Sequence, residues 1–460
     1  MIDAAFDSQR KAFQQNPNPS ARERRANIDV VCHILSEHTD KIAHAISNDF
    51  GHRSQTETRL MEIFPTLSNG QHARKYVARW MRTERVRTGT WFRPGRSYIV
   101  KQPLGVVGIV APWNYPINLS IGPLIAALAA GNRAMVKLSE FTPRTSELLD
   151  RLFGERLNRD LVTFVQGGAA EAKAMCAKPF DHLLFTGSTA VGHSVMTAAA
   201  ANLTPVTLEL GGKSPVIIAP GYSIDHAARR VMLGKCLNAG QTCIAPDYVL
   251  LPRAEVAAFR DAAIKAVAQY YPRGMGSDDY TSIVNDHHFN RLRDWVLEAQ
   301  AHGARIDRIG ADKPDARKFA PVLVSDAPLN IRVMQEEVFG PILTLVAYDS
   351  LQGALRFIAE RPRPLAMYYF DRSVKRTRSV LEQSIAGGVT VNDTMLHFAQ
   401  DALPFGGVGT SGMGSYHGVH GFNTFTKMKG VYHQSRVNGA HLLNPPFGRT
   451  IERLLRLLTP

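Results

Sequence analysis

The chain of 460 residues carries 45% hydrophobic and 20% charged residues with 36 Gly and 26 Pro, a globular balance that excludes whole-chain disorder, collagen and coiled coil. Lys and Arg number 54 against 40 Asp and Glu, giving a formal charge of +14. This sign suits anionic cofactors and substrates, but without a long basic run it gives no reading as a nucleic-acid binder.

At roughly 150 residues per domain the length implies two or three domains. The cysteines Cys32, Cys176, Cys236 and Cys243 include no Cys-x-x-Cys pair and are too few to staple a small secreted fold, so a reducing compartment is expected. The opening MIDAAFDSQRKAF lacks the regions of a signal peptide, and the expected location is the cytoplasm.

Residues 1–81 carry helical periodicity with polar faces, as in NIDVVCHILSEHTDKIAHAI. The basic stretch 82–103, rich in Thr, Gly and aromatics, reads as an extended hairpin that projects as an arm. From Gln102 to Asn132 no residue is charged, yet Pro112, Pro116 and Pro123 exclude a bilayer span. The pattern is instead a buried strand LGVVGIVA, a tight polar elbow and an apolar helix ending near Gly131.

Across 104–210 apolar runs alternate with helical stretches: RAMVKL, LVTFVQG, HLLFTG and PVTLEL are the further strands. A second alternation over 211–400 includes SPVIIA, YVLL, ILTLVAY, AMYYF and GGVTVN. Fully apolar strands alternating with helices predict parallel sheets covered on both faces, hence an α/β protein with two Rossmann-like parallel-sheet domains. The tail 431–460 has little pattern until IERLLRLL, an amphipathic turn or two.

Several signatures fail by one residue. Gly212-Lys213-Ser214 lacks the earlier P-loop glycine because position 207 is Thr207, and Gly192-His193-Ser194 is followed by Met196 rather than the second glycine of a nucleophile elbow. His417 with His420, and His287 with His288, have no neighbouring Cys or paired carboxylates, so no metal is expected.

Phe185-Thr186-Gly187-Ser188-Thr189-Ala190-Val191-Gly192 follows a strand and opens a helix, where a dinucleotide loop must lie. Thr189 stands where the fingerprint has its second glycine, and a plain strand-to-helix turn reads equally well. In Asn238-Ala239-Gly240-Gln241-Thr242-Cys243 the helix stops and a loop presents Cys243, the better nucleophile candidate, whereas Cys236 on the helix reads as a buried small hydrophobe. Glu209, ending an apolar strand, suits general-base work through desolvation or is a paired structural carboxylate.

Six strings occur together and in order: Pro112-Trp113-Asn114-Tyr115-Pro116, Phe185-Thr186-Gly187-Ser188, Leu208 to Lys213, Gly240 to Cys243, Glu336 to Pro341 and Pro404 to Val408. With these the chain resembles the aldehyde dehydrogenase superfamily over about residues 20–430. The run Gly407 to Gly418 resembles its class 3 branch, and the ending QSRVNGAHLLNPPFG is similar to bacterial coniferyl-aldehyde members.

The resemblance implies NAD(P)-dependent oxidation of an aldehyde to the acid, with Cys243 as nucleophile, Asn114 holding the oxyanion and Glu209 activating water. It places Trp113, Lys137, Ser139, Glu140, Gly187, Ser188, Gly192, Glu337 and Phe339 at the cofactor. Glu140 favours NAD through the ribose hydroxyl, with NADP also accepted. Tyr115, Asn118 and His397 are expected at the substrate, an aromatic or medium-chain aldehyde such as coniferyl aldehyde. The resemblance further implies a homodimer bridged by 82–103 and 415–430, with 1–81 and 104–210 as dinucleotide-binding domain and 211–400 as catalytic domain. A coenzyme A-acylating enzyme and an inactive structural member are the alternatives.

Overall fold

The computed structural model describes residues 2–440 and 444–458; residues 441–443 of the tail, and both extreme ends, lie outside the described residues. The N-terminal third begins with helices Ile2–Gln15, Ala21–Glu37, Thr39–Phe50 and Phe64–Trp80. Ser20 starts the second with a capping box: its hydroxyl accepts from Glu23 N–H at 3.3 Å and the Glu23 carboxylate accepts from Ser20 N–H at 2.7 Å. Ile28, Val31, Ile34 and Leu35 then form the buried stripe that the periodicity requires.

Three sheets follow. β1 (Glu84–Val86) and β2 (Arg96–Pro103) make an antiparallel hairpin. β3 (Val106–Val110), β4 (Arg133–Lys137), β5 (Val162–Val165), β6 (His182–Gly187) and β7 (Val206–Leu210) form a parallel sheet in the order β7-β6-β3-β4-β5. Gly211-Gly212-Lys213 carries the chain into β8 (Ser214–Ile218), β9 (Pro246–Pro252), β10 (Arg305–Arg308), β11 (Val322–Ser325), β12 (Ile342–Tyr348), β13 (Ala366–Phe370) and β14 (Gly388–Val391). These are ordered β10-β11-β12-β9-β8-β13-β14, and every pairing is parallel except β10 with β11.

β15 (Gly412–Met413) returns to β7, pairing Gly412 with Glu209, and β16 (Thr426–His433) completes the arm on β2. The arm sheet therefore runs to His433 rather than ending at residue 430. β10, sequence RIDR, gave no apolar signal because it is a short charged edge strand, the form that resists further pairing.

The charge-free stretch behaves as its prolines dictate. β3 is buried throughout, Pro112 to Pro116 form the elbow, and helix Asn118–Ala130 is buried on every side until Gly131 ends it at φ 90°. Among the described residues no helix is long and apolar enough to cross a membrane. The final helix, Arg449–Leu458, buries none of its residues.

Candidate active site

From β3 the chain runs to β4 on one side, while β6 lies on the other side of β3. The strand order thus reverses at the carboxyl ends of β3 and β6, where open parallel sheets bind ligands. The elbow after β3 and the Gly187-Ser188 turn after β6 meet there for that topological reason. Ser188 caps helix Thr189–Ala200, accepting Val191 N–H at 3.4 Å, so the positive end of a helix dipole faces the crevice.

Cys243 is presented by a backbone that few residues adopt. Asn238, Ala239 and Gly240 have φ of 51°, 49° and 72°, a run of left-handed residues between helix Ile224–Cys236 and β9. A Cβ on Gly240 would meet the Gly340 carbonyl oxygen at 2.3 Å, so only glycine fits. Side chains hold this costly geometry: Gln241 donates to Asn238 O at 2.9 Å and to Ser282 O at 3.0 Å, and accepts Val284 N–H at 2.9 Å. Asn114 donates its amide to Gln241 O at 3.1 Å, and Tyr115 Oη lies 2.8 Å from Thr242 Oγ1, so the elbow is tied directly to the cysteine loop.

Two carboxyl groups flank this point. Glu209, at the end of β7, is 2% exposed, and neither of its oxygens has a hydrogen-bond partner. Burial pushes its carboxyl well above the ordinary range. Glu337 is raised to about 8, first by burial and then by Asp247, against the Gly212 N–H that favours its charged form. A Cβ on Gly211 would collide with Glu337 Oε2, so this glycine after β7 makes room for that carboxyl. The Cys243 thiol is raised as well, chiefly by burial and then by Glu337 and Glu209.

Two cavities open on Cys243. The first, about 220 Å³, is bounded by Trp113, Asn114, Gly187, Ser188, Glu209, Glu337 and Phe339. The second, about 350 Å³, has Tyr115 and Asn118 in its wall beside Met61, Phe64, Leu233, Met395 and Leu396. Cys243 and Leu119 border both. Cys236 is 1% exposed and borders neither.

His397 is a correction to the sequence reading. Its neighbours Met395 and Leu396 line the second cavity, but its ring turns inward, with Nδ1 2.8 Å from Thr390 Oγ1 and the ring stacked on Phe405 at 6.2 Å. Met395 has a positive φ, 65°, in the turn that carries these residues.

Lys137, Ser139 and Glu140 sit at and after the end of β4, beyond the walls of the first cavity. Lys137 is 2% exposed and donates to Leu138 O at 2.7 Å, while Glu140 is exposed. Gly192 also stands back from the cavity, where a Cβ would meet Leu210 Cδ2 at 2.7 Å; its bareness lets the helix lie close on β7.

Sequence reasoning missed Thr186 as a lining residue, and His288 and Arg291 as part of this site. His288 lies 5.4 Å from the Trp113 ring, and burial, with Arg291 beside it, depresses its pKa to about 4. Arg291 donates to the Val338 carbonyl at 2.7 Å, fixing the strip that carries Glu337 and Phe339. The only sequence signal is the His287-His288 pair, which lacks the partners of a metal cluster and gives no pointer to an aromatic wall.

The first cavity fits a dinucleotide on its own chemistry. Glu337 Oε1 is buried without a partner beside it, as a ribose hydroxyl would require, and Trp113 and Phe339, with ring centroids 5.4 Å apart, offer apolar faces for a planar ring. Two parallel sheets, a cysteine between two cavities and two buried carboxyls describe an oxidoreductase of the cysteine-dependent dinucleotide class.

Comparison with known proteins narrows this class. A model of the aldehyde dehydrogenase family matches residues 1–431. A probable coniferyl aldehyde dehydrogenase of Pseudomonas aeruginosa is 46% identical over 454 residues, covering 99% of this chain and 95% of its own. A substrate-bound structure of Staphylococcus aureus AldH aligns with TM-score 0.94 and 37% identity over 100% of both chains. A Mycobacterium tuberculosis aldehyde dehydrogenase complexed with NAD+ aligns with TM-score 0.85 and 28% identity, covering 94% of this chain and 89% of its own. The chain belongs to the aldehyde dehydrogenase family, whose members carry out NAD(P)-dependent oxidation of aldehydes.

Proposed function

We propose that this enzyme oxidises an aromatic or medium-chain aldehyde, coniferyl aldehyde among them, to its acid through a thioester on Cys243. The carrying observation is that Cys243 alone among the cysteines borders both cavities, so one sulfur is reachable from a dinucleotide on one side and an aldehyde on the other. The apolar second cavity and the Pseudomonas aeruginosa relative support the substrate class.

In the first step the Cys243 thiol gives its proton to solvent water, its sulfur bonds to the aldehyde carbon, and the carbonyl electron pair moves to oxygen. The free N–H of the Asn114 amide and the backbone N–H of Cys243 hold that oxyanion. NAD, with NADP also accepted, supplies the hydride acceptor and a cationic ring that offsets the carboxylates beside the thiol. Loss of hydride from the same carbon re-forms the carbonyl and leaves the thioester. Glu209 then takes a proton from water as the water oxygen attacks; the carbon–sulfur bond breaks and Cys243 regains its proton.

Glu337 holds the nicotinamide ribose, and Phe339 and Trp113 wall the ring. Gly187, Ser188 and Gly192 shape the pyrophosphate side, and Lys137, Ser139 and Glu140 meet the adenine ribose. Tyr115 and Asn118 border the aldehyde. The unit formed by 1–81 and 104–210 binds the dinucleotide, and 211–400 supplies the cysteine. The three-stranded arm bridges a homodimer in the cytoplasm.

Following reduced cofactor by absorbance with coniferyl aldehyde, benzaldehyde and a long-chain aldehyde tests this reading. We expect turnover with NAD and no need for coenzyme A; turnover only with coenzyme A would establish the acylating alternative, and no turnover with any aldehyde the inactive one.

A further inference from the structure

A fully buried ion pair lies behind the elbow, outside both cavities. Arg53 is 0% exposed, and its Nη1 sits 2.8 Å from Glu62 Oε1, itself on a 0% exposed side chain. The same Nη1 donates to the backbone carbonyl of Asn114 at 3.0 Å, and the guanidinium carbon stands 4.8 Å from the centre of the Tyr115 ring and 5.1 Å from that of Phe50. Phe50 in turn packs against Trp113, with ring centroids 5.9 Å apart.

Glu62 grips the other end of the elbow, where its Oε2 accepts Ile117 N–H at 2.7 Å and Asn118 N–H at 3.3 Å, the start of the buried helix. Glu62 belongs to a π-helical turn over Arg59–Ile63, a form frequent at functional sites. A second carboxylate from this segment, Glu57, accepts Asn238 N–H and the Thr281 hydroxyl. Asn238 then donates its amide to the same Asn114 carbonyl at 3.0 Å.

Residues 53–62 therefore hold the elbow by both ends and the cysteine loop by its left-handed residue. Burying an ion pair adds little stability over well-packed apolar side chains, so its contribution must be sought in the geometry it imposes. Asn114 has two amide N–H groups, and one is engaged by Gln241 O. The amide is planar, so the direction of the other follows from that bond and from the Asn114 backbone, whose carbonyl Arg53 holds.

We propose that Arg53 and Glu62 are positioning residues of the oxyanion site, a buried clamp that orients the Asn114 amide toward the carbonyl oxygen of the aldehyde bound at Cys243. The inference rests on the reading of Asn114 as oxyanion donor. It assigns the clamp to formation of the thioester and gives it no part in cofactor binding or in the attack of water.

The test uses the full-length enzyme and the rapid release of reduced cofactor in the first turnover, with NAD affinity and melting temperature measured on the same preparations. R53M/E62Q removes both charges together, so neither is left buried alone. We expect its burst rate to fall about tenfold or more, within the loss known for a missing oxyanion donor, with NAD affinity unchanged. R53K retains a buried cation with three N–H donors for Glu62 and the Asn114 carbonyl but loses the planar contact with Tyr115 and Phe50, so its burst should fall less than that of R53M/E62Q. Should R53M/E62Q not fold, E62D keeps the charges but withdraws the carboxylate from Ile117 and Asn118 N–H, and the same slowing is expected.

A normal burst rate with lowered melting temperature, in R53M/E62Q or E62D, would overturn the proposal and leave the pair structural. N114A run in parallel separates the two failures. A slow N114A burst beside a normal clamp-variant burst rejects the clamp alone, and a normal N114A burst rejects the oxyanion reading beneath it.

Discussion

The two cavities that meet at Cys243 differ in kind. The one beneath Trp113 and Phe339 brings buried Glu209 and half-buried Glu337 and Arg291 toward the sulfur, while the other presents Met61, Phe64, Leu233, Met395 and Leu396. Carboxyl groups are gathered on the first side, whereas the second has a largely apolar wall with Arg230, paired with Asp393 at 2.7 Å, as its charged member. Substitutions on the apolar side should therefore alter which aldehyde is accepted without altering the steps, and substitutions on the polar side should do the reverse.

The largest effect should come from the shared wall. Cys243→Ala is expected to abolish dehydrogenase activity while NAD still binds, measured by cofactor absorbance and by fluorescence titration; Cys236→Ala, remote from both cavities, should change little. Retention of more than about a tenth of the rate in Cys243→Ala would contradict a covalent role.

Glu209→Gln divides the polar side by step. It should release about one equivalent of reduced cofactor per site and then stall, with the acyl adduct on Cys243 visible by mass spectrometry. Because burial raises the Glu209 carboxyl, the base form gains population as pH rises, so wild-type deacylation should quicken toward alkaline pH. Loss of the burst together with turnover would show that Glu209 also activates the thiol.

Asn114→Ala should lower turnover by about a hundredfold, the usual loss for an oxyanion donor. A fall in melting temperature with normal turnover would instead make it an elbow cap.

On the apolar side, Leu233→Phe adds bulk to a cavity of about 350 Å³. It should raise KM for coniferyl aldehyde by about tenfold, of the order of one lost methylene-sized fit, and leave kcat for propanal unchanged. Equal changes for both aldehydes would break the division between the cavities.

The smallest effect is expected at exposed Glu140, where Glu140→Gln should raise efficiency with NADP relative to NAD by about threefold through removal of one repulsion near solvent. An unchanged ratio would place Glu140 away from the ribose.

Much of this protein was legible in its sequence because the relevant signals are local. β3 is an unbroken apolar run, β6 and β7 are mainly apolar around His182, Thr186, Thr207 and Glu209, and the prolines at 112 and 116 mark the elbow whatever surrounds them. Gly240 marks the turn before Cys243 because the backbone there needs a residue without Cβ, although the helix itself already ends at Cys236. Such features follow from the covalent chain and its immediate neighbours, whereas Trp113, Glu337 and Phe339 are legible at the first cavity through the family resemblance of the motifs that carry them.

Only the tertiary structure decided which way His397 faces, that β10 pairs at a charged edge, and that His288 and Arg291, from a helix over Asp286–Ala301, complete the wall against Trp113. The buried pair of Arg53 and Glu62 is the clearest instance, since in sequence they are two charges nine positions apart in a polar stretch, 61 positions from Asn114 in the case of Arg53. Their burial depends on long-range packing of the N-terminal helices against the elbow. Sequence periodicity reports which face of an element is apolar, but the partner of a buried charge is chosen by what the fold brings to it in space.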